Sequence, residues 1–404
     1  MNKEGALSNL RVIELGNFVS AAFCTKLLAD LGAEVIKVEQ LGGDESRRHG
    51  PFLNDVPNPE SSALFLYLNT NKLGITLDVR QRTGRDVFLR LVENADVLVE
   101  NNPPRSMQDL EIDYAVLSKL KSSLIVTSIT PFGKTGPYRD YKAYDINCSA
   151  MGGLSFSIGY PDRQPLKLPL YQADLQAGLA GAVSTLVAIL HRDRSGEGQH
   201  IDLSETDLLS TLHMGNHVLN FVYKGISGLR RGYRGDLGQY PFVFLPCKDG
   251  YVCIYTPEMS QWLRLIEVMG SPEWSKNPRY HNKRAMLEEY PDEVDELLKE
   301  WLKERTKEEI FRICQENRVP IAPVKDIKEV VEDLHLKKRG FFAEIDHPIS
   351  GKLKYPGAPY KLSETPVQIK RRAPLLGEHN QHVYCGLLGY TKEDLVDLRR
   401  VGII

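Results

Sequence analysis

The sequence lacks the features that mark several large classes of protein. Its six cysteines form no CxxC pair, so neither a zinc site nor a disulfide framework is indicated, and free buried thiols are expected. The N-terminus has no apolar stretch of signal-peptide length, and no run along the chain predicts a membrane span. These absences predict a cytoplasmic protein without a membrane partner.

Two further absences concern nucleic acids and dinucleotides. The formal net charge is −2 over 404 residues, so there is no basic excess for binding nucleic acid. The turn after the first predicted strand, residues 16–21, lacks the GxGxxG spacing that lets a pyrophosphate approach a helix N-terminus. A nicotinamide or flavin dehydrogenase is therefore disfavoured.

What the sequence does contain is a regular alternation of strands and helices. Residues 10–15 (LRVIEL), 34–39 (EVIKVE), 96–100 (DVLVE) and 124–130 (LIVTSIT) are predicted as strands, with helices between them. Ser20 is the predicted N-cap of the first helix. This alternation predicts an α/β fold with a Rossmann-like, doubly wound parallel sheet.

The length predicts more than one domain. We expect a large domain over residues 1–224, a linker with a smaller α+β domain over 225–330, and a C-terminal segment over 331–404 that returns to the large domain. In the small domain, residues 242–255 predict a hairpin that turns at Asp249-Gly250. The stretch from about residue 324 onward, rich in proline and lysine, predicts an extended tail.

The most informative segment covers residues 168–199, where Asp174 precedes a long helical pattern. Several small residues, at 177, 178 and 180–182, would let another backbone or a ligand come close. From the pattern alone Asp174 is a helix N-cap. A carboxylate can also attack an activated acyl group to form an anhydride, and the two roles are compatible. The expected buried stripe of this helix consists of Leu175, Leu179, Ala182, Leu186 and Leu190.

Other polar residues give weaker signals. His213 and His217 share a helical face, but Met214 follows where a metalloprotease would have glutamate, so no metal site is predicted. Each basic residue of the first domain is expected to be solvated, although a phosphate-bearing cofactor at the strand ends is plausible. These basic residues are Arg47, Arg48, Lys72, Arg80, Arg105 and Lys142.

Together these segments resemble the class III coenzyme A (CoA) transferases, the family of formyl-CoA transferase and the carnitine and bile-acid CoA transferases. The likeness spans nearly the whole chain, from RVIELGNFVSAAFCTKLLADLGAEVIKVE through GGDESR and YQADLQAGLAGAVSTLVAILHRDRSGEGQHIDLSE to APLLGEH. It implies a two-domain fold that assembles as an interlocked homodimer. It implies no prosthetic group and no metal. CoA is the co-substrate, and an acyl-CoA and a carboxylic acid are the partners.

The resemblance also implies a site. Asp174 would be the covalent nucleophile, forming mixed anhydrides and an aspartyl-CoA thioester in turn. Two departures from the family pattern affect the CoA contacts, because Gln40 replaces an arginine of some members and ENNPPR replaces ENFRPG, shifting its arginine to Arg105. The implied CoA contacts are Ser20, Ala21, Gln40, Leu77, Arg80, Asn101, Asn102, Arg105, Lys142, Ala143, Tyr144 and Asp145.

Two alternatives share the fold and the cofactor. α-Methylacyl-CoA racemases need a histidine in a GHDINY-like motif, but this chain reads AYDINC with Tyr144 in its place. An unperturbed tyrosine, with a pKa of about 10, is a poor base at neutral pH, so a transferase is favoured over a racemase or another CoA-ester isomerase. A non-enzymatic acyl-CoA-binding regulator is the third hypothesis, since a fold does not fix a function. The intact Asp174 argues against it.

Two features stay open at this stage. The family's mobile glycine-rich loop has no clear counterpart, since residues 232–241 hold only separated glycines. The sequence does not predict which acyl-CoA is the donor or which acid is the acceptor.

Overall fold

A computed structural model of the chain describes residues 5–212, 215–228, 230–235 and 240–404, the side chains of residues 215 and 216 excepted. The chain forms two compact units. Unit 1 contains the residues up to Leu154 together with Leu168–Gly215 and Lys337–Ile404, and unit 2 contains Ser155–Lys167 and Asn216–Leu336. The division therefore lies near residues 215 and 336, where the sequence analysis expected boundaries at 224 and 330, and a short loop at 155–167 joins unit 2.

Unit 1 is built on a six-stranded sheet. Its strands are β1 (Arg11–Leu15), β2 (Glu34–Glu39), β3 (Lys72–Thr76), β4 (Val97–Glu100), β5 (Ile125–Thr130) and β6 (His200–Ser204). They lie in the order β3-β2-β1-β4-β5-β6, and every neighbouring pair is parallel. The predicted parallel sheet is confirmed.

Helices cover both faces of this sheet. The helices that connect and follow its strands are α1 (Ser20–Asp30), α2 (Ala63–Leu68), α3 (Arg82–Glu93), α4 (Pro104–Asp109), α5 (Tyr114–Leu120), α6 (Asp145–Met151), α8 (Gln172–Ser195) and α9 (Glu205–Leu212), with 3₁₀ turns at Glu45–Arg48 and Leu53–Asp55. The short α7 (Leu154–Ser157) belongs almost entirely to unit 2. Ile13 of β1 belongs to the apolar cluster that packs α3 and α5 on one face. Its neighbour Val12 belongs to the cluster that packs α1 and α8 on the other, as alternation along a strand requires.

Unit 2 combines a small antiparallel sheet with helices. Its strands are β7 (Phe242–Cys247), β8 (Gly250–Tyr255) and β9 (Ile321–Pro323), and its helices are α10 (Gly215–Lys224), α11 (Met259–Val268), α12 (Lys283–Glu288), α13 (Pro291–Leu302), α14 (Lys307–Glu316) and α15 (Ile327–Glu332), with 3₁₀ turns at Glu273–Lys276 and Pro278–His281. β7 and β8 pair as the predicted hairpin. Trp262 is fully buried among apolar side chains of the sheet and helices.

The C-terminal segment is not the extended tail that was expected. It contains α16 (Leu334–Lys338), the antiparallel pair β10 (Phe342–His347) and β11 (Gly351–Pro356), a π-helical turn (His382–Leu387) and α17 (Lys392–Arg400). The prediction failed because apolar residues near the terminus are widely spaced yet enter the core of unit 1. Tyr384 donates to the Thr76 carbonyl oxygen at 2.7 Å, and the His379 N–H donates to that of Gly74 at 2.9 Å. The segment thus covers the edge strand β3.

Candidate active site

The carboxyl ends of β1 and β4 lie side by side where the strand order reverses, which is where open α/β sheets bind ligands. Asn101, directly after β4, donates from Nδ2 to the Asn17 carbonyl oxygen at 2.7 Å and to Ser20 Oγ at 3.0 Å. Its Oδ1 accepts the Asn17 N–H at 2.8 Å. Asn102 Nδ2 donates to the Leu15 carbonyl oxygen at 2.6 Å. Three implied CoA contacts therefore lie together at this edge.

Ser20 has a different local role from the one predicted. It is the first residue of α1 and not its N-cap, which is Val19 and provides no side-chain cap. Ser20 Oγ accepts a hydrogen bond from Asn101 Nδ2 instead of capping its own helix.

A pocket of about 360 Å³ opens beside these loops. That volume lies at the lower end of the range for small-ligand sites. Arg48 on its wall is exposed, and its guanidinium donates only a long hydrogen bond, 3.4 Å, to the Gly42 carbonyl oxygen. Three implied CoA contacts line the pocket, namely Gln40, Leu77 and Asn102.

A buried network of charges lies behind this edge of the sheet. The Glu14 carboxylate accepts from Lys37 Nζ at 2.6 Å, from Lys72 Nζ at 2.8 Å and from Thr25 Oγ1 at 2.6 Å. All four side chains are shielded from solvent. Burial by itself would raise the pKa of Glu14, but the two ammonium groups lower it to about 2. At Lys72, burial lowers the pKa more than the nearby Glu14 carboxylate raises it, so the pKa of Lys72 falls to about 8.

The same network anchors the loop after β2. Lys37 Nζ also donates to Asp44 at 2.7 Å, and Asp44 in turn accepts the Phe18 N–H at 3.1 Å. Arg47 donates to both oxygens of Glu39, at 2.7 and 2.8 Å. The expectation that Arg47 and Lys72 are solvated is therefore wrong. Each is buried because carboxylates inside unit 1 compensate its charge.

The remaining implied contacts from the first half of unit 1 do not line the pocket. Arg80 and Arg105 are exposed and lie beside Asp78, at 2.8 Å, and Asp109, at 3.9 Å. Ala21 is fully buried under Gly16, where an added Cβ would meet Ala21 Cβ at 2.4 Å. Its side chain is therefore enclosed by the loop itself.

The implied contacts at 142–145 surround the start of α6. Lys142 is exposed, Ala143 is half-buried, and Tyr144 is 76% exposed. Asp145 is buried, and its Oδ1 accepts the Ala173 N–H at 2.6 Å. This hydrogen bond links the start of α6 to the start of α8.

Asp174 lies in the first turn of α8 and is half-buried. The prediction that it is the N-cap is wrong, because the helix begins at Gln172 and Tyr171 occupies the cap position. The Ala173 N–H, which an N-cap side chain could have satisfied, is satisfied by Asp145 from outside the helix. Asp174 nevertheless lies at the positive end of the α8 dipole. Burial raises the pKa of the Cys148 thiol, and the negative charges of Glu205 and, least of these, Asp174 add to this shift.

Glu205 is a residue of this site that the sequence analysis missed. It is the first residue of α9 and is 4% exposed. The pKa of Glu205 is raised to about 7, mainly by burial and also by the negative charge of Asp145, while the polar groups of Cys148 and Ser20 oppose the shift. Its neighbours in the sequence, Ser204 and Thr206, are polar, so no local signal distinguished it.

Known proteins resemble this chain over nearly its whole length. The sequence pattern of CoA-transferase family III matches residues 7–380. This chain belongs to CoA-transferase family III. It is 32% identical to a formyl-CoA:oxalate CoA-transferase of Afipia carboxidovorans, over 99% of this chain and 97% of that protein. It is 32% identical to a succinate–glutarate CoA-transferase of Agrobacterium fabrum, over 96% of each chain.

A solved family structure has the same fold. The CAIB/BAIF family protein from Brucella suis superimposes with a TM-score of 0.85 at 31% identity, covering 95% of this chain and all of that one. The family resemblance inferred from the sequence is therefore confirmed.

In this family III protein the long helix α8 buries its small residues. An added Cβ at Gly178 would meet the Ser20 carbonyl oxygen at 2.7 Å, and one at Gly181 would meet Cys24 Sγ at 3.3 Å. The expected close approach of another backbone is thus confirmed, and that backbone is α1. The expected buried stripe is wrong at Leu179 and Leu190, which are more than half exposed. The close contact with α1 requires small residues, so the larger ones point outward.

The outward side of α8 is apolar. Leu179, Val183, Val187 and Leu190 are each more than half exposed, and a groove of about 700 Å³ runs between α8, β6 and α9. By length and composition α8 would also suffice to cross a membrane, contrary to the expectation from the sequence. A core helix of a soluble protein passes the same test, and the inner side of α8 packs on α1.

Two further predictions for this family III chain concern residues outside the described ranges. His213 of the histidine pair is outside them, and His217 lies in α10. Residues 236–239 of the segment considered as a glycine-rich loop are also outside them.

Proposed function

We propose that this protein transfers CoA from an acyl-CoA thioester to a free carboxylic acid through covalent intermediates on Asp174. The observation that carries the proposal is the position of this carboxylate. It lies half-buried in the first turn of α8, next to the α6 start that bears Asp145, in a chain of CoA-transferase family III. A helix N-terminus supports negative charge, so it favours the carboxylate that has to attack.

The proposed reaction proceeds in four acyl transfers. An Asp174 carboxylate oxygen bonds to the donor acyl carbon, the C–S bond breaks, and its electron pair leaves with CoA as thiolate. The thiolate then attacks the aspartyl carbonyl of the anhydride, which releases the donor acid and leaves an aspartyl-CoA thioester. The acceptor carboxylate attacks this thioester to form a second anhydride and the thiolate. Attack of the thiolate on the acceptor acyl carbon yields the product and restores Asp174. No proton is consumed.

We place CoA along the edge formed by β1, β4 and the pocket beside them. Gln40, Leu77 and Asn102 line that pocket, and Ser20 and Asn101 join the adjoining loops. Arg48 is an additional basic residue there that the family resemblance did not assign. Since Arg47 and Lys72 are fully engaged with buried carboxylates, phosphate groups would be bound by exposed side chains such as Arg48, Arg80, Arg105 and Lys142.

Trapping of the intermediate tests the nucleophile. Incubation with an acyl-CoA and hydroxylamine should convert Asp174 to a hydroxamate that is detectable by peptide mass spectrometry. Asp174→Asn should abolish both turnover and trapping, because the amide cannot form the anhydride. Asp193→Asn is the matched control, since Asp193 is exposed near the other end of the same helix. Full activity of Asp174→Asn would refute the mechanism.

An acceptor panel tests the reaction type. The relatives are named for oxalate, succinate and glutarate, so short dicarboxylic acids lead the panel with succinyl-CoA and formyl-CoA as donors. CoA exchange with any of these acids excludes a role as a mere acyl-CoA-binding regulator. Exchange of the α-proton for deuterium in the absence of an acceptor would instead indicate a racemase or another CoA-ester isomerase.

We also propose that the protein forms an interlocked homodimer in which a second copy covers the outer side of α8. The support is the exposed apolar row at Leu179, Val183, Val187 and Leu190, because contiguous exposed apolar side chains often mark interaction surfaces. Val183→Asp should shift the molar mass measured by light scattering from dimer to monomer. Val396→Asp is the control, because Val396 is also more than half exposed but lies on α17. A dimer that survives Val183→Asp would refute this interface.

A further inference from the structure

A second cavity lies wholly within unit 2 and has no part in the proposed reaction. Its volume is about 340 Å³, at the lower end of the range for small-ligand sites. It lies between the loop at 155–167 and the segment that begins at residue 230. Three arginines line it together with two aromatic rings, namely Arg230, Arg231, Arg234, Tyr160 and Tyr233.

Hydrogen bonds join the two walls of this cavity. The Gly232 N–H donates to the Gly159 carbonyl oxygen at 3.0 Å. Arg230 Nε donates to the Tyr160 carbonyl oxygen at 3.1 Å, and its Nη2 donates to that of Pro161 at 3.3 Å. Gly232 has φ of 64°, and an added Cβ there would meet the Tyr160 ring at 2.4 Å. The backbone therefore passes directly against this ring, and Arg230 is held in place.

A buried acid fixes the position of Arg234 and Tyr233. Asp295 is 1% exposed, and its Oδ2 accepts from the Tyr233 hydroxyl at 2.7 Å and from Arg234 Nε at 3.1 Å. Arg234 also forms an ion pair with Asp292. The charge of Arg234 is thus compensated inside unit 2, and this arginine forms part of the wall.

Arg230 and Arg231 have no such compensation, although both are half-buried. Within the described residues neither forms an ion pair, and neither Arg231 nor Nη1 of Arg230 has a hydrogen-bond partner. The exposed Arg163 adds a positive charge over the Tyr160 ring, 5.4 Å from its centre. Asp162, an exposed acid of the same loop, is paired with none of these arginines in the described ranges. Charges that are partly removed from water call for a partner of opposite sign.

We propose that this cavity binds a small oxyanion, a phosphate or a carboxylate group, held by Arg230 and Arg231. A guanidinium presents paired N–H donors that match two oxygens of such an anion. Arg231 and the unused Nη1 of Arg230 supply these donors. The site does not depend on the proposed function, because its residues all belong to unit 2 and Asp174 belongs to unit 1.

Calorimetric titration of the full chain with inorganic phosphate and, separately, with succinate at constant ionic strength tests the site. At least one of the two anions should bind saturably. Arg231→Gln should weaken that binding on the order of tenfold or more, because it removes charge-assisted hydrogen bonds. Arg231→Lys keeps the charge but not the paired donors, so its affinity should fall between the two. Arg312→Gln is the matched control and should bind as the unaltered protein does, since Arg312 is exposed on α14 of the same unit.

The two anions distinguish the sources of the oxyanion. Binding of phosphate alone would identify a phosphate site, binding of succinate alone a carboxylate site, and binding of both a general oxyanion site. Tryptophan fluorescence, which arises in unit 2, checks that each variant is folded. Saturable binding of neither anion, or binding that a folded Arg231→Gln leaves unchanged, would overturn the proposal. A protein that binds the anion but transfers no CoA would keep this site while the proposed function fails.

Discussion

Replacement of Glu14 by glutamine tests how much the buried charge network contributes to unit 1. Glutamine keeps the size of the side chain but removes the charge that Lys37 and Lys72 share. Lys37 retains Asp44 at 2.7 Å. Lys72 retains only the neutral acceptors Ala22 O at 2.8 Å and Asn69 Oδ1 at 2.9 Å, so its ammonium is left buried without a counter-ion.

The expected loss of stability is about 3 kcal/mol at pH 7. Removing one partner of a buried ion pair costs about 3–5 kcal/mol. The pKa of Glu14, lowered from 4.5 to about 2, corresponds independently to roughly 3 kcal/mol of stability. Because this carboxyl pKa is depressed, that contribution is present above pH 4.5 and lost as the pH falls toward 2. The difference in stability between Glu14→Gln and the unaltered protein should also become smaller from pH 7 to pH 9. Lys72 loses its charge over this range, and a neutral Lys72 needs no counter-ion.

Amide hydrogen exchange of peptides covering β1 to β3 is the appropriate assay. The chain's three tryptophans, Trp262, Trp274 and Trp301, all lie in unit 2, so their fluorescence would report on the other unit. Glu34→Gln is the matched control on β2, because its pair with Arg11 is largely exposed and contributes less than about 1 kcal/mol. If Glu14→Gln lowers the free energy of unfolding by less than about 1 kcal/mol, the reasoning is refuted.

Three further predictions concern packing and titration. Because burial raises the pKa of Glu205 from 4.5 to about 7, the unaltered protein loses stability as the pH rises from 4.5 through 7. Glu205→Gln has no such loss, so its free energy of unfolding in urea should exceed that of the unaltered protein by an amount that grows to about 3 kcal/mol by pH 8. Gly178→Val should cost about 1–3 kcal/mol in the same assay, since its Cβ would meet the Ser20 carbonyl oxygen at 2.7 Å. Tyr384→Phe should cost about 1–2 kcal/mol by leaving the buried Thr76 carbonyl oxygen without its 2.7 Å hydrogen bond. Values near zero for any of the three would contradict these contacts.

The sheet could be predicted because its information is local. This holds for β1, β2, β4 and β5, each of which is a short apolar run bounded by helical periodicity, and the parallel order follows from the alternation. β3 and β6 were not predicted, because polar residues interrupt their apolar ones. The C-terminal segment could not be predicted in the same way, since Ile403 and Tyr384 are buried only because β3 offers them an edge. Their burial depends on a contact more than three hundred residues away along the chain, as with Tyr384 and Thr76.

In the candidate site, too, local features could be predicted and contacts between distant parts of the chain could not. Asp174 was found from a family motif, but its helix start was misplaced because the Asp145 hydrogen bond to Ala173 comes from another helix. Glu205 has no local signature at all. Its burial becomes evident only in the folded structure. Lys72 likewise looked solvated until β1 placed Glu14 beside it.

The charge network matters for function because it supports the strained loop that joins β1 to α1. Phe18 has a left-handed backbone with φ of 66°, which a non-glycine residue adopts only when its surroundings enforce it. Asp44 accepts the Phe18 N–H, and Lys37 holds Asp44 in place while also binding Glu14. Loss of Glu14 should therefore loosen the loop that carries Asn17 toward Asn101. Since that loop borders the proposed CoA pocket, Glu14→Gln should raise the KM for acyl-CoA more than it lowers kcat.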